Sequence, residues 1–158
     1  VFISRSEADT DSLGNIVASH LACGITIALN GQLGSGKTRF TRALCRAIGI
    51  DATLVTSPTF VLMQLYTDGR LPVAHFDTYR LGDIDEFAAI GAEEFLNGDE
   101  WICLVEWADR VDEMLPADRL TIRVEHESET SRRFEISSSG PASSSVLTAI
   151  AASLTDYI

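Results

Sequence analysis

Short apolar runs alternate with amphipathic stretches along most of the chain, and that alternation predicts strands joined by helices. Phe2 and Ile3 read as a short opening strand. Ser6-Glu7-Ala8-Asp9 offers a capping pattern ahead of a helix whose Leu13, Ile16, Val17 and Leu21 share one face. Residues 25–29 are a β-branched apolar run of the kind that forms a buried strand. In residues 39–48, Phe40, Ala43, Leu44, Ala47 and Ile48 recur at helical spacing, and Gly49 supplies a stop. Pro58 rules out a regular central strand at that point, so 57–59 read as a loop and 60–66 as a strand. A turn at 67–70 returns the chain as a second arm over 71–76. Ile84, Phe87, Ala88 and Ile90 mark a short helix ended by Gly91, and Phe95-Leu96 close another turn. Residues 101–105 are continuously apolar up to Glu106, the pattern of a strand covered on both faces. Residues 119–125 and 132–137 alternate as a final antiparallel pair. Residues 137–145 then read as a loop and 146–157 as a last amphipathic helix.

Between the predicted strand at 25–29 and the helix at 39–48 stands Gly31-Gln32-Leu33-Gly34-Ser35-Gly36-Lys37-Thr38, which fits G-x-x-x-x-G-K-[ST] at every fixed position. Strand, glycine loop and helix are the context in which that spacing cradles phosphate. Glycines let successive backbone N–H groups converge on an anion, and the helix N-terminus adds about half a positive charge. Lys37 is placed to reach β- and γ-phosphates, and the Thr38 hydroxyl to ligate Mg²⁺. Lys37 is also the only lysine of the 158 residues, the other eleven basic side chains being arginines. The expected fold is a single α/β domain over 1–158, P-loop NTPase-like. Its mixed sheet has a parallel core with antiparallel hairpins at its ends, and helices flank it. Phosphates belong outside the carboxyl ends of the parallel strands.

Composition narrows the function. A formal charge of −11 with no basic run argues against direct RNA or DNA binding, because such affinity comes largely from neutralised phosphates. Any nucleic acid is therefore expected to be held by a partner. Apolar stretches are too short to span a membrane, no basic-then-apolar leader is visible, and the expected location is the cytoplasm. Cys23, Cys45 and Cys103 lie far apart without a C-x-x-C pattern and read as buried free thiols rather than metal ligands.

A phosphate loop also needs a carboxylate near its metal, usually at the end of a neighbouring apolar strand. Glu106 and Asp77 both qualify. One serves the metal, directly or through water, while the other orients the attacking water or the triphosphate. Trp107 offers an aromatic face to the adenine base or to the core. Thr59 is a candidate for sensing a γ-phosphate from a mobile loop. Arg80 and Arg132 are candidates for neutralising phosphate charge. His75 lies mid-strand and reads as a core histidine.

The order Gly31 to Thr38, Ser57-Pro58-Thr59, His75-Phe76-Asp77-Thr78-Tyr79-Arg80-Leu81, Ile90-Gly91, Cys103-Leu104-Val105-Glu106-Trp107 and Leu115-Pro116 resembles the bacterial tRNA threonylcarbamoyladenosine biosynthesis ATPase, the TsaE (YjeE) family. The resemblance covers roughly residues 7 to 137. It implies an ATPase, weak alone, that binds ATP and Mg²⁺ and works with the TsaD and TsaB proteins, which hold the tRNA and transfer the threonylcarbamoyl group. ATP hydrolysis would drive or reset that complex. By position it implies phosphate contacts from Gly31, Leu33, Gly34, Ser35, Gly36, Lys37, Thr38 and Arg39. Glu106 and Thr38 fall on the metal ligands, Asp77 on the essential aspartate, and Trp107 on the aromatic beside the base. Glu7 and Thr10 fall in the amino-terminal segment that approaches the nucleotide, and Arg132 on a late arginine, with Arg133 adjacent. Two positions depart from the family pattern: Arg39 replaces a second hydroxyl after Lys-Thr, and Thr78 replaces an apolar residue before Tyr79.

A small-molecule P-loop kinase is the alternative. It needs an arginine-bearing lid, whereas residues 82–99 are rich in acids and hold no arginine. A GTP switch needs N-K-x-D to read guanine, which a chain with one lysine, already used in the loop, does not contain.

Overall fold

The computed structural model describes residues 1–157. Seven strands form one mixed sheet in the order β1-β7-β6-β2-β5-β4-β3. Its middle is parallel: β2 (Thr26–Asn30) lies between β5 (Ile102–Glu106) and β6 (Leu120–His126), and β4 (Val73–Asp77) runs parallel to β5. Both ends are antiparallel. There β3 (Met63–Tyr66) pairs with β4, β7 (Arg132–Ser138) with β6, and β1 (Phe2–Ser4) with β7. This is the expected α/β arrangement.

The central strands are short and apolar because both of their faces are covered. β4 and β5 are buried along their whole lengths. Ile27, Leu29, Ile102 and Leu104 face a core closed by α1 (Glu7–Ser19), α2 (Lys37–Ile48) and α5 (Pro141–Tyr157). Ala28, Ala74, Phe76, Cys103 and Val105 face a second core under α3 (Ile84–Ala89) and α4 (Ala92–Leu96). Alternate residues of β4 and β5 thus point to opposite layers. Helix α1 starts where the capping pattern puts it, with Ser6 accepting from the Asp9 N–H. It packs tightly on α2 because Gly14 has no side chain: a Cβ there would stand 2.7 Å from that of Ala43.

Three expectations need correction. The strand expected over 60–66 covers only Met63–Tyr66. Leu62 has a φ of 65° and its N–H donates to the Pro58 carbonyl, so the chain turns there before it can pair. The helix expected over 146–157 begins at Pro141, within the expected 137–145 loop. Proline suits a first helical turn, and Asp118, distant in sequence, accepts from the Ala142 and Ser143 N–H groups in place of a local cap. Cys23 is exposed, whereas Cys45 and Cys103 are buried.

Burial pushes the thiols of Cys45 and Cys103 up to about 12, Asp68 adding to the rise at Cys45 and a Thr26 hydrogen bond opposing it at Cys103. At pH 8 their thiolate fraction is on the order of one in ten thousand, and the thiolate is the reactive form. One thiol per native chain is therefore expected to react promptly with a thiol reagent, and the remainder only after denaturation. Prompt reaction of all three cysteines of the sequence would contradict this packing.

Candidate functional site

The parallel strands β2, β4 and β5 end side by side at their carboxyl ends, in register to within one residue. Leu29 pairs with Glu106, and Glu106 with Asp77. The glycine loop leaves β2 at this end and enters α2 at Lys37. Gly31 has to be glycine: a Cβ there would lie 2.4 Å from the Val124 carbonyl oxygen and 2.6 Å from Ser35 Oγ.

Lys37 Nζ donates to the carbonyls of Gly31 at 2.7 Å and Gln32 at 2.9 Å, so the loop's own backbone holds the ammonium. It also lies 4.0 Å from the centre of the Trp107 ring. Burial lowers the Lys37 pKa, while Glu106, Asp77 and Asp109 pull it back upward. Thr38 donates its hydroxyl hydrogen to the Glu106 carboxylate, at 2.9 Å from Oε2 and 3.1 Å from Oε1. Asp77 is buried and ordered from three directions. Ser57 and Thr59 donate hydroxyls to Oδ2, the latter at 3.1 Å, and the Tyr79 N–H donates to Oδ1 at 2.9 Å.

Lys37, Thr38, Thr59, Asp77, Glu106 and Trp107 line one groove of about 330 Å³. Gly34, Gly36 and Arg39 lie between it and a second cavity that holds Glu7, Thr10 and Arg132. Arg132 Nε donates to the Ser35 carbonyl at 3.1 Å, which puts this arginine on the phosphate loop, while Arg133 pairs with Glu125 across β6 and β7. Leu33 stands exposed at the loop tip. Trp107 does not reach the Glu7 cavity; it stacks on Tyr79 with ring centres 4.8 Å apart and also lines a cavity with Asn30, Ser35 and Arg123. Arg80 turns away over Phe60, 4.3 Å from that ring's centre.

The two departures from the family pattern have local reasons. Arg39 pairs with Glu7 at 3.1 Å and Asp11 at 2.9 Å, fastening the start of α2 to α1. Thr78 donates toward the carbonyls of Glu106 at 3.1 Å and Trp107 at 2.6 Å. Trp107 has a φ of 58°, and such a backbone in a non-glycine residue costs on the order of 1–3 kcal/mol. Thr78 and the Arg110 N–H, both bonded to the Trp107 carbonyl, hold that turn in place.

Sequence reasoning missed one neighbour of the site. His75 is fully buried, and its Nε2 lies 2.8 Å from Glu106 Oε1. Strand alternation carries the signal, since residues 75 and 77 share a face.

The donor set suits Mg²⁺: a hydroxyl and a carboxylate in contact, with a second carboxylate at the next strand end. Mg²⁺ prefers hard oxygen ligands, takes one or two from protein, and leaves the rest to phosphate and water. No cluster of three or more His, Cys, Asp or Glu able to hold a metal occurs among the described residues. A glycine loop opening a helix at the carboxyl edge of a parallel sheet, with a Thr–Glu pair beneath it, defines a P-loop protein. A family model described as "Threonylcarbamoyl adenosine biosynthesis protein TsaE" matches residues 4–134, and the chain belongs to that family. It is 36% identical over 132 residues to tRNA threonylcarbamoyladenosine biosynthesis protein TsaE of Bacillus subtilis, covering 84% of this chain and 81% of the relative. The Treponema pallidum protein of that name is 41% identical over 120 residues, or 76% of this chain and 87% of the other. The crystal structure of Bacillus subtilis YdiB superposes with a TM-score of 0.77 at 27% identity, covering 95% of this chain and 92% of that one.

Proposed function

We propose that this chain is a Mg²⁺-dependent ATPase acting in threonylcarbamoyladenosine modification of tRNA, where its hydrolysis drives or resets a complex of TsaD and TsaB. The observation that carries the reading is the Lys37–Thr38–Glu106 arrangement under the glycine loop, with Asp77 hydrogen-bonded beside it.

Incoming phosphate oxygens would take the Lys37 ammonium from the Gly31 and Gln32 carbonyls. The N-terminal turn of α2 adds backbone donors and its dipole. Thr38 and Glu106 would hold Mg²⁺, which neutralises charge on the β- and γ-phosphate oxygens when bound. Asp77 would accept the proton of the attacking water, its orientation fixed by Ser57, Thr59 and the Tyr79 N–H. Thr59 thereby ties the loop carrying it to the reacting phosphate. The cavity of Glu7, Thr10 and Arg132 adjoins the groove through Gly34, Gly36 and Arg39, and we assign the base and sugar to it. Trp107 then covers the phosphate end. With a formal charge of −11, the chain would leave the tRNA to its partners.

Substituting Glu106→Ala tests the metal half of the reading. Nucleotide affinity measured in EDTA should change little, while Mg²⁺-supported hydrolysis should fall by about a hundredfold, the scale expected when an electrostatic stabiliser is lost. Equal losses in both conditions would make Glu106 a structural residue.

A further inference from the structure

We propose that His75 is a positioning residue for the Mg²⁺ site, fixing through Oε1 the Glu106 carboxylate to which Thr38 donates; this rests on the Mg²⁺ reading above. Residues 73, 75 and 77 of β4 share a face, as do 102, 104 and 106 of β5, and that face is the one closed by α1 and α2. His75 pairs with Leu104, so Glu106 is its diagonal neighbour, within reach of a long side chain. Their side chains meet at 2.8 Å with His75 fully buried and Glu106 2% exposed. Since carboxylate oxygens only accept, Nε2 carries the hydrogen in this contact. On the far side of the ring, Nδ1 faces the Tyr66 hydroxyl at 3.5 Å.

Three side chains thus stand in series inward from the phosphate loop: Thr38, Glu106 and His75. A threonine hydroxyl has one hydrogen, and donating it to Glu106 leaves its lone pairs free for a cation. That requires the carboxylate to stay in place. With Oε1 bonded to His75, the group cannot swing away from Thr38 without leaving a fully buried N–H unpaired. A merely space-filling core residue at position 75 would give no such restraint, and loss of groups that orient metal ligands typically costs 10–100-fold in metal affinity.

The test compares His75→Leu, which removes the donor, with His75→Gln, whose amide N–H reaches the Nε2 position. Binding of a fluorescent ATP analogue is followed across a Mg²⁺ titration and again in EDTA. His75→Leu should raise the Mg²⁺ concentration for half-maximal effect by about tenfold or more, with EDTA affinity unchanged, and His75→Gln should stay within about threefold of wild type. In a Glu106→Gln background the leucine substitution should add nothing further, because its effect passes through that carboxylate. Should leucine prevent folding, His75→Asn replaces it: its amide occupies the Nδ1 position, stops short of Glu106, and should raise the Mg²⁺ requirement in the same way. A wild-type Mg²⁺ requirement in the folded leucine or asparagine variant overturns the proposal alone. A wild-type protein that binds nucleotide without regard to Mg²⁺ overturns the Mg²⁺ site itself and the proposal with it.

Discussion

Lys37→Ala should abolish measurable triphosphate binding at micromolar protein concentrations. The side chain supplies the loop's only lysine charge, and hydrogen bonds to charged groups contribute up to about 3 kcal/mol each, equivalent to roughly a hundredfold in affinity. The ammonium is desolvated on its own loop, where burial lowers its pKa, so its removal takes away a buried charge whose partners are backbone carbonyls and the Trp107 ring. The variant should therefore melt close to the wild-type temperature while failing to bind in calorimetry or fluorescence titration. Unchanged ATP affinity in a folded Lys37→Ala protein would remove the phosphate-site assignment.

The second large effect separates binding from chemistry. Asp77→Asn keeps the size of the side chain and its acceptor for the Tyr79 N–H, but loses the basicity to take a proton from water. Turnover should drop by about 10²- to 10⁴-fold, the usual contribution of a positioned general base, with nucleotide affinity nearly unchanged. A wild-type rate would reduce Asp77 to an anchor for Ser57 and Thr59, both of which donate to its Oδ2.

What was legible in the sequence follows from how local the cause is. The phosphate loop is one contiguous motif, and its glycines answer to contacts within a few residues or at the neighbouring strand. The ends of β4 and β5 were legible because a fully covered strand is apolar until it meets the site, so Asp77 and Glu106 stand out as the first acids. Where a distant partner decides, the pattern is silent. The start of α5 depends on Asp118, and 141–145 alone, with its serines, reads as a loop. Residues 60–62 are apolar enough for a strand, yet the Pro58 carbonyl captures Leu62 N–H and bends the chain. For His75 the pattern tells half: alternation sets it on the face of Asp77, but its partner Glu106 is 31 residues away and one strand over. Trp107 shows the converse: its neighbour in sequence is Glu106, yet its left-handed backbone and the Thr78 bond set the ring over Lys37, which no local pattern announces.

The exposed apolar side chains Phe60 and Val61 follow Ser57 and Thr59 directly, so the loop that orders Asp77 also reaches the surface.

The most direct measurement is ATP turnover by the purified protein, alone and with TsaD and TsaB from the same organism, using GTP and Lys37→Ala as controls. A low basal rate that rises on mixing, prefers ATP to GTP and vanishes with Lys37→Ala is the predicted result. No change on mixing, with phosphate appearing instead on an added metabolite, would contradict the partner-dependent ATPase and make this protein a kinase.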